Sequence, residues 1–386
     1  MKFSSLPVPI PDPLFAIAAE ARAAGPQAID GTLGIYMDEE GRPLVLPSVK
    51  MSIAELQQNL QTFNFSYPPL NGLPEFRESV SALLTTNRGA QIASIASTGG
   101  TGALAINLRL MHMMLEKTSR TIILPVPAWA NHHPPAKAAG LAVLEVPYLQ
   151  DGKASIDGIL SAVKKMTEPF GLLLQVGCHN PTGLDLTEND WHELIQALQN
   201  VPCIALLDIA YQGFKEEPEA DTKPVQHFVD AGITTLVTWS ASKNHSIYGL
   251  RTGLACAFAS SAKEKEIIEG NYSSITRTMH SAAPTFGQAI VARTQQKFSA
   301  QWREDLRAAR ALMQRKRSLL VSNLPETFHA SLLGYGMFAM LPLTQDQVVR
   351  LKVEEQVFLP LDGRINIAGI PERRIGELCG KIIKVL

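Results

Sequence analysis

The sequence predicts an α/β protein: a large domain with a mainly parallel mixed sheet flanked by helices, and a smaller α+β domain built from both chain ends. Between residues 92 and 260, apolar runs typical of buried strands alternate with segments of helical periodicity. The chain has 386 residues, too many for one simple core, and its pattern becomes mainly helical after Asn271. We therefore predict an N-terminal arm with part of the small domain over residues 1–42, the large domain over 43–308, and the remainder of the small domain over 309–386.

The composition is that of an ordinary globular protein, with 46% hydrophobic and 18% charged residues. Lys and Arg number 35 against 36 Asp and Glu, a balance that argues against nucleic acid or an anionic membrane as the main partner. The 4 cysteines lie far apart without a CxxC motif, which argues against disulfides and a zinc site. No run approaches the roughly 20 apolar residues that cross a bilayer. A reducing, cytoplasmic location is expected.

The N-terminal segment is rich in proline, which excludes a helix over the first 13 residues. The same prolines interrupt any apolar stretch of a secretion signal. We expect an extended arm that packs on a neighbouring subunit. Asp12 and Pro13 are typical of the N-cap and first residue of a helix, which should end at Gly25.

Polar or aromatic side chains follow the predicted strands 92–96, 121–124, 171–176, 204–207 and 233–239. In parallel sheets flanked by helices, ligands lie beyond the carboxyl ends of the strands. Each residue alone is a weak signal, because a glycine turn or a tryptophan after a strand is often only structural. Their convergence on one edge is much stronger evidence for a binding site formed by Gly100 with Thr101, Trp129, Asn180, Asp208 and Lys243.

Residues 240–253 contain one lysine among small hydroxyl residues, followed by an arginine. The amine of Lys243 can form a Schiff base with a carbonyl, and a nearby cation lowers the pKa of such an amine into a useful range. Arg251 offers a planar fork of donors that suits a phosphate. A lysine for an aldehyde and an arginine for a phosphate together predict pyridoxal phosphate as the cofactor.

With this cofactor, each residue near the ring has a chemical task. Lys243 would hold the aldehyde as an aldimine and move a proton between the substrate Cα and the cofactor C4′. The Asp208 carboxylate would keep the pyridine nitrogen protonated. Asn180 and Tyr211 would donate hydrogen bonds to the phenolate oxygen, and Trp129 would stack on the ring.

The phosphate and the substrate need separate anion sites. Arg364, at the start of a predicted strand over residues 364–369, would pair bidentately with the substrate α-carboxylate. Backbone amides at a helix N-terminus, hydroxyls and a guanidinium would hold the phosphate, supplied by Gly100, Thr101, Ser240, Ser242 and Arg251.

Taken together, these motifs resemble the class I aminotransferases of pyridoxal-phosphate fold type I, and within them the aspartate/aromatic amino acid aminotransferase group. The resemblance covers nearly the whole chain. It rests on DPL at 12–14, NGLPEF at 71–76, GTGA at 100–103, WANH at 129–132, HNPTG at 179–183, DIAYQGF at 208–214, SASKN at 240–244 with Tyr248 and Arg251, GMF at 336–338 and RINIAG at 364–369.

The resemblance implies further roles. Tyr67 matches a tyrosine that reaches the phosphate in the neighbouring subunit, which implies a homodimer with shared active sites. Arg277 matches an arginine that crosses the dimer interface to bind a side-chain carboxylate of the substrate. Gly34 matches a mobile segment that closes over the substrate. His132 matches a histidine that supports the pyridine-binding aspartate, here Asp208.

The preferred amino donor is left open by the sequence. Arg277 favours dicarboxylates, whereas Ile35 and Met37 give an apolar rim that favours aromatic side chains. His280 and Ala282 depart from the tyrosine and asparagine common in aspartate-specific relatives. We expect a broad aspartate and aromatic activity, with tyrosine or phenylalanine as aromatic donors and 2-oxoglutarate as acceptor.

Two other functions fit part of the pattern. A pyridoxal-phosphate lyase or decarboxylase would keep Lys243 and Asp208 but would not need Arg277. A non-enzymatic sensor built on the same fold would carry a DNA-binding module, for which the sequence offers no spare N-terminal region.

Overall fold

The computed structural model describes Phe3 and residues 13–87, 89–116 and 120–386. The predicted N-terminal arm therefore lies almost wholly outside the described residues. Within the described parts of the chain, no helix combines the length and apolar character needed to cross a membrane. The helices are α1 Pro13–Ala24, α2 Pro47–Gln58, α3 Pro74–Leu84, α4 Gly99–Met114, α5 His133–Ala138, α6 Asp157–Val163, α7 Glu188–Leu198, α8 Pro218–Asp221, α9 Lys223–Asp230, α10 Ala262–Met279, α11 Thr285–Lys297, α12 Ser299–Asn323, α13 His329–Leu332, α14 Gln345–Glu355 and α15 Ile375–Lys384.

A seven-stranded sheet has the strand order β2-β10-β9-β8-β7-β3-β4. Strand β10 runs antiparallel to β2 and β9, and the other neighbours are parallel, which confirms the predicted mixed, mainly parallel α/β fold. The strands of the described chain are β1 Ile29–Asp30, β2 Gln91–Thr98, β3 Thr121–Val126, β4 Ala142–Pro147, β5 Leu149–Gln150, β6 Lys153–Ala154, β7 Phe170–Gln175, β8 Cys203–Ile209, β9 Thr234–Ser240, β10 Thr252–Ala259, β11 Phe338–Met340, β12 Val357–Phe358 and β13 Arg364–Asn366.

The register of the central strands aligns their carboxyl ends. Gln175 of β7 lies opposite Asp208 of β8, and Asp208 lies opposite Thr238 of β9. Every residue of β8 is buried, as expected for a strand covered on both faces. The loops that follow these three strands therefore start side by side at one edge of the sheet.

Helix α4 packs across this sheet with its apolar side chains in the main core, and it carries one buried amide. The Asn107 Nδ2 donates to the Val237 carbonyl at 2.9 Å, and its Oδ1 accepts from the Tyr272 hydroxyl at 2.7 Å. Because both ends of this amide have partners, it fixes α4 and α10 against the sheet at little desolvation cost.

Some predicted boundaries were wrong, for local reasons. The glycine turn expected after the strand 92–96 is itself helical, because α4 starts at Gly99 and the glycine-rich segment forms its first turn. Helix α10 starts well before Asn271, because the Ser261 side chain caps it by accepting the Glu264 N–H. The predicted strand 364–369 ends at Asn366, since its partner β11 has only three residues and Phe338 pairs with Asn366.

The chain folds into two compact units. One unit holds residues 44–314 and 334–336, including the seven-stranded sheet. The other comprises the described residues up to 43 together with 315–333 and 337–386, and a second apolar core lies inside it. Within this second unit β1 pairs with β12 and β11 pairs with β13. Both chain ends thus contribute to one unit.

We predict that Trp239→Phe lowers the thermal unfolding midpoint. Trp239 is fully buried, and its indole Nε1 donates to Gln212 Oε1 at 2.8 Å. The change leaves that buried oxygen without its donor, at a cost of about 1–3 kcal/mol. Ile267→Ala, at a position that is 56% exposed, is the control and should change the free energy of unfolding by less than about 0.5 kcal/mol. Equal effects of the two changes would contradict this account.

Candidate active site

The side chain of Arg251 lies against the N-terminus of α4, which makes this end of the helix a candidate anion site. Gly99 has a φ of +74°, and a Cβ there would lie 2.5 Å from Arg251 Nη2. Glycine is therefore required for the guanidinium to approach this backbone. The Thr98 N-cap makes no side-chain hydrogen bond, so the first N–H groups of the 16-residue helix are not capped by it. Such an end attracts an anion.

Two buried serines continue this anion site at the end of β9. Ser240 Oγ lies 3.1 Å from Ser242 Oγ and accepts the Ser242 N–H at 3.3 Å. Arg251 Nη1 donates to the Tyr248 carbonyl at 3.1 Å, which orients the guanidinium. The Thr101 hydroxyl accepts from Asn131 Nδ2 at 3.3 Å. Ser240 also lies close to Gly100 of α4, and Arg251 Nη1 is 3.5 Å from Ser242 Oγ, so groups from three segments lie at this end of the helix.

Lys243 lies directly after the end of β9, and its side chain lies between two tyrosine rings. Its Nζ is 5.8 Å from the ring centre of Tyr211 and 5.8 Å from that of Tyr248. Burial, together with the positive charge of Arg251, lowers the pKa of Lys243 from 10.5 to about 8, although the Asp208 carboxylate opposes this shift. An amine with this pKa has a substantial unprotonated, nucleophilic fraction near neutral pH.

Asp208 is a buried carboxylate held by a buried histidine. His132 Nε2 and Asp208 Oδ2 are 2.9 Å apart, and both residues are at least 95% buried. The Trp129 ring meets the His132 ring edge-on, with centres 5.4 Å apart. Asp208 makes no other side-chain hydrogen bond in the described part of the chain, so its second oxygen is available to a donor from a ligand.

Asn180 and Tyr211 bring two further polar groups to this edge. Asn180 Nδ2 lies 3.5 Å from the Tyr211 hydroxyl, and both residues are buried. The turn before Asn180 is fixed by Asp185, whose carboxylate accepts the N–H groups of Cys178 and His179 at 2.9 Å each. This carboxylate therefore sets the position of the Asn180 amide.

Arg364 and Gly34 lie in the second unit, beside the same aromatic ring. The Arg364 guanidinium is 4.9 Å from the centre of the Phe338 ring and donates from Nη2 to the Thr32 carbonyl at 2.8 Å. A Cβ on Gly34 would lie 2.7 Å from Phe338 Cζ. The Gly34 segment can follow this path only because it lacks a side chain at that point.

Tyr67 and Arg277 lie on an exposed surface of the sheet-containing unit. Tyr67 is 96% exposed. It lines a groove of about 510 Å³ together with Ser281. The Ser281 hydroxyl accepts from Arg277 Nη1 at 2.9 Å. Burial lowers the pKa of the adjacent His280, so Arg277 carries the positive charge there at neutral pH.

The structure thus gathers most of the predicted residues at one sheet edge and leaves four elsewhere. Tyr67 lines the groove, Arg277 contacts its lining residue Ser281, and Gly34 and Arg364 are neighbours in the second unit. Sequence reasoning assigned no role to Asn131, Asp185 or Tyr248. Asn131 belongs to the WANH motif and Tyr248 lies five residues after the lysine, whereas Asp185 lies outside every motif quoted. The gathered residues are Gly100, Thr101, Trp129, His132, Asn180, Asp208, Tyr211, Ser240, Ser242, Lys243 and Arg251.

This geometry defines an enzyme for a flat ligand that bears a carbonyl, a phosphate and a basic ring nitrogen. The nucleophilic amine suits the carbonyl, the helix N-terminus with its guanidinium suits the phosphate, and the half-satisfied Asp208 carboxylate suits a protonated nitrogen. Pyridoxal phosphate carries all three groups, so the residues present fit that cofactor.

Comparisons with known proteins agree with this class. The profile of the family "Aminotransferase class I and II" matches residues 31–382. Mitochondrial aspartate aminotransferase of Xenopus tropicalis is 30% identical, with 97% of this chain and 91% of the relative aligned. Tyrosine aminotransferase of Rhizobium meliloti (strain 1021) is 31% identical, with 98% and 99% aligned. The crystal structure of aromatic-amino-acid aminotransferase from Burkholderia pseudomallei, covalently bound to pyridoxal phosphate, has a TM-score of 0.94, 28% identity, and coverage of 100% and 99%.

The chain therefore belongs to the class I and II aminotransferase family, as the sequence motifs had indicated. The family confirms the predicted enzyme class, an aminotransferase. The fold class is confirmed as well, because the structural similarity extends over the whole chain.

We predict that the amine of Lys243 in the cofactor-free protein reacts with an acylating reagent with a pH midpoint near 8, the pKa that burial and Arg251 produce. Arg251→Gln should raise this midpoint, because it removes a positive charge, and Asp208→Asn should lower it. Mass spectrometry of the Lys243 peptide measures the rate at each pH. The same peptide in the denatured chain is the control, and its midpoint should be near 10.5. Identical midpoints for the native and denatured chains would refute the assignment.

Proposed function

We propose that this enzyme catalyses transamination between an L-amino acid, aspartate or an aromatic one such as tyrosine or phenylalanine, and a 2-oxo acid such as 2-oxoglutarate. Pyridoxal phosphate is its cofactor, bound covalently through Lys243. The observation that carries the proposal is the position of this amine, between Tyr211 and Tyr248 and near both Arg251 and Asp208. When bound, pyridoxal phosphate stabilises the electron pair left on the substrate Cα after its proton departs.

The phosphate-binding role belongs to the α4 N-terminus and its surroundings. The N–H groups of Gly100 and Thr101, the Ser240 and Ser242 hydroxyls, and the Arg251 guanidinium would hold the phosphate oxygens. Support comes from the close approach of Arg251 to Gly99, which brings the guanidinium to the N-terminus of α4 and leaves no space for a side chain at Gly99. A guanidinium and a helix dipole together stabilise a doubly charged group more than either does alone.

The ring would be held from three sides. The Asp208 carboxylate would accept a hydrogen bond from the ring nitrogen, with His132 fixing its other oxygen at 2.9 Å. Asn180 and Tyr211 would donate to the phenolate oxygen, and their separation of 3.5 Å lets both reach one acceptor. Trp129, which already packs edge-on against His132, would stack on the ring face.

Lys243 has a second role as the base and acid of the reaction. Its Nζ would take the proton from Cα of the amino donor and, in the second half-reaction, give a proton to Cα of the new amino acid. A pKa of about 8 suits both steps, because neither protonation state is scarce near neutral pH. Tyr248 and Tyr211 limit the freedom of the side chain on either side.

Arg364 would bind the substrate α-carboxylate, and the Gly34 segment would cover the substrate. The guanidinium donates to the Thr32 carbonyl, and the Phe338 ring supports its face, so its orientation is fixed before a substrate arrives. An oriented guanidinium is the group best suited to a bidentate pair with a carboxylate. The arginine is 7% exposed, so a paired carboxylate would be largely shielded from water.

The active form would be a homodimer that shares residues between its sites. Tyr67 would reach the phosphate in the neighbouring subunit, and Arg277 would bind the side-chain carboxylate of a substrate there. Both residues are exposed, as a contribution to another subunit requires: Tyr67 lines the groove, and Arg277 donates to Ser281 of its lining. The relatives named for aspartate, tyrosine and aromatic amino acids support the donor classes.

Lys243→Ala should abolish transamination of aspartate and phenylalanine, because it removes both the covalent link and the proton carrier. We expect a loss of at least about 10³-fold in kcat/KM. Product formation from 2-oxoglutarate measures the activity, and the visible absorbance of the cofactor shows whether it still responds to an added amino acid. Lys153→Ala, at an exposed lysine of strand β6, is the control. A normal rate in the Lys243 variant would exclude the proposed mechanism.

Two impaired variants should complement each other if subunits share residues. In a mixture of Lys243→Ala and Arg277→Ala, half of the dimers are mixed, and each mixed dimer contains one intact site. Aspartate turnover should recover to about a quarter of the wild-type value, while each variant alone remains inactive toward aspartate. The half-reaction with phenylalanine alone, followed by the visible absorbance of the cofactor without any 2-oxo acid, should stay near wild type in Arg277→Ala, because phenylalanine has no side-chain carboxylate. Absence of recovery in refolded mixtures would show that Arg277 acts within its own subunit or not at all.

A further inference from the structure

The side chain of Asn366 holds a backbone segment beside the strand that carries Arg364. Asn366 is 1% exposed, and its Nδ2 donates to the carbonyls of Leu33 at 2.5 Å and Ile35 at 2.8 Å. Its backbone N–H donates to the Gly31 carbonyl at 2.8 Å. One residue therefore fixes the Gly31–Ile35 segment at three points.

The Asn366 amide forms its hydrogen bonds through its nitrogen. Its Oδ1 is buried and has no hydrogen-bond partner within the described chain. Space for the amide exists because Gly369 has no side chain, since a Cβ there would lie 2.6 Å from Asn366 Nδ2. A buried oxygen without a partner costs stability. Among the described residues the amide is held only through its nitrogen, so the two hydrogen bonds from Nδ2 are the ones that position the backbone.

Arg364, which lies on the same strand β13, also forms a hydrogen bond to the Gly31–Ile35 segment. Residues 364 and 366 are two apart on β13, so their side chains lie on the same face. Arg364 Nη2 donates to the Thr32 carbonyl, and Asn366 Nδ2 donates to the next residue and to Ile35. The Phe338 ring fills the space above Gly34. The guanidinium and the segment are thus fixed relative to each other by contacts inside one unit.

We propose that Asn366 is a positioning residue for substrate binding, which holds Gly34 and Ile35 in a fixed geometry relative to the Arg364 guanidinium. This inference rests on the proposed function, in which Arg364 binds the α-carboxylate and the Gly34 segment covers the substrate. In this proposal Asn366 itself does not contact the substrate. It acts through the backbone carbonyls on either side of Gly34.

Because Asn366 holds the segment in place beforehand, the substrate does not have to supply the free energy that orders it. Without the amide donor, two buried carbonyls lose their partner and the segment gains conformational freedom. The substrate must then order this segment when it binds, so its apparent affinity falls. Lys243 lies in the other unit, and proton transfer in the saturated enzyme does not depend on this amide. The expected signature is a higher KM with little change in kcat.

The test compares Asn366→Ala and Asn366→Asp in the cofactor-loaded enzyme. We expect KM for aspartate and for phenylalanine to rise about tenfold in the alanine variant and further in the aspartate variant, whose carboxylate repels the two carbonyls. We expect kcat to stay within about threefold of wild type. Hydrogen–deuterium exchange of residues 33–37 should be faster, while the visible absorbance of the bound cofactor should be unchanged.

Two further variants separate positioning from stability. Asn107→Ala removes another fully buried amide, which donates to the Val237 carbonyl, and should lower the unfolding midpoint without raising KM. Gly369→Ala places a Cβ against the Asn366 amide and should reproduce the higher KM and the faster exchange with Asn366 intact. This variant keeps the inference testable if the substitutions of Asn366 prevent folding.

The inference is overturned if the Asn366 and Gly369 variants keep wild-type KM and wild-type exchange at residues 33–37. Arg364→Ala decides the underlying assignment separately. If the wild type transaminates and Arg364→Ala raises KM while the Asn366 variants do not, only the inference about Asn366 fails. If the wild type does not transaminate, or Arg364→Ala leaves KM unchanged, the proposed function of this site fails instead.

Discussion

The balance of charges around Lys243 is the constraint on which this site depends. Burial and the positive charge of Arg251 favour the neutral amine, and the Asp208 carboxylate favours the charged one. The result is a lysine that can act as a nucleophile and as a proton carrier in the same pH range. A different balance would give an inert cation or an amine that cannot return its proton.

The sheet explains why residues from distant parts of the chain meet at this site. Strands β7, β8 and β9 are parallel and in register, so Asp208, near the end of β8, is flanked by the strand ends that lead to Asn180 and Lys243. The antiparallel strand β10 follows Arg251, whose guanidinium lies against Gly99 at the start of α4. Chain positions separated by about 150 residues thus form one anion site, and Gly99 can occupy its position only because it has no side chain.

Much of this could be predicted from the sequence, because the key residues follow apolar strands and belong to distinctive motifs. The sequence could not show which side chains act through others. Asp185 follows the HNPTG motif closely, but only the fold shows its carboxylate accepting two N–H groups of the preceding turn. Asn366 was visible beside Arg364, but its partners Leu33 and Ile35 are more than 300 residues away. The sequence indicated a glycine turn after β2, since glycine has a low helix propensity, but this segment forms the first turn of α4.

The central claim is that Lys243 is the residue that holds the cofactor, and peptide mapping after borohydride reduction of the loaded enzyme tests it most directly. Reduction makes the bond between the lysine and pyridoxal phosphate permanent, so the modified peptide can be sequenced by mass spectrometry. We predict that the added mass lies on Lys243 and on no other of the lysines. A modified lysine elsewhere, or no modified peptide from an enzyme that shows the cofactor absorbance, would contradict the account.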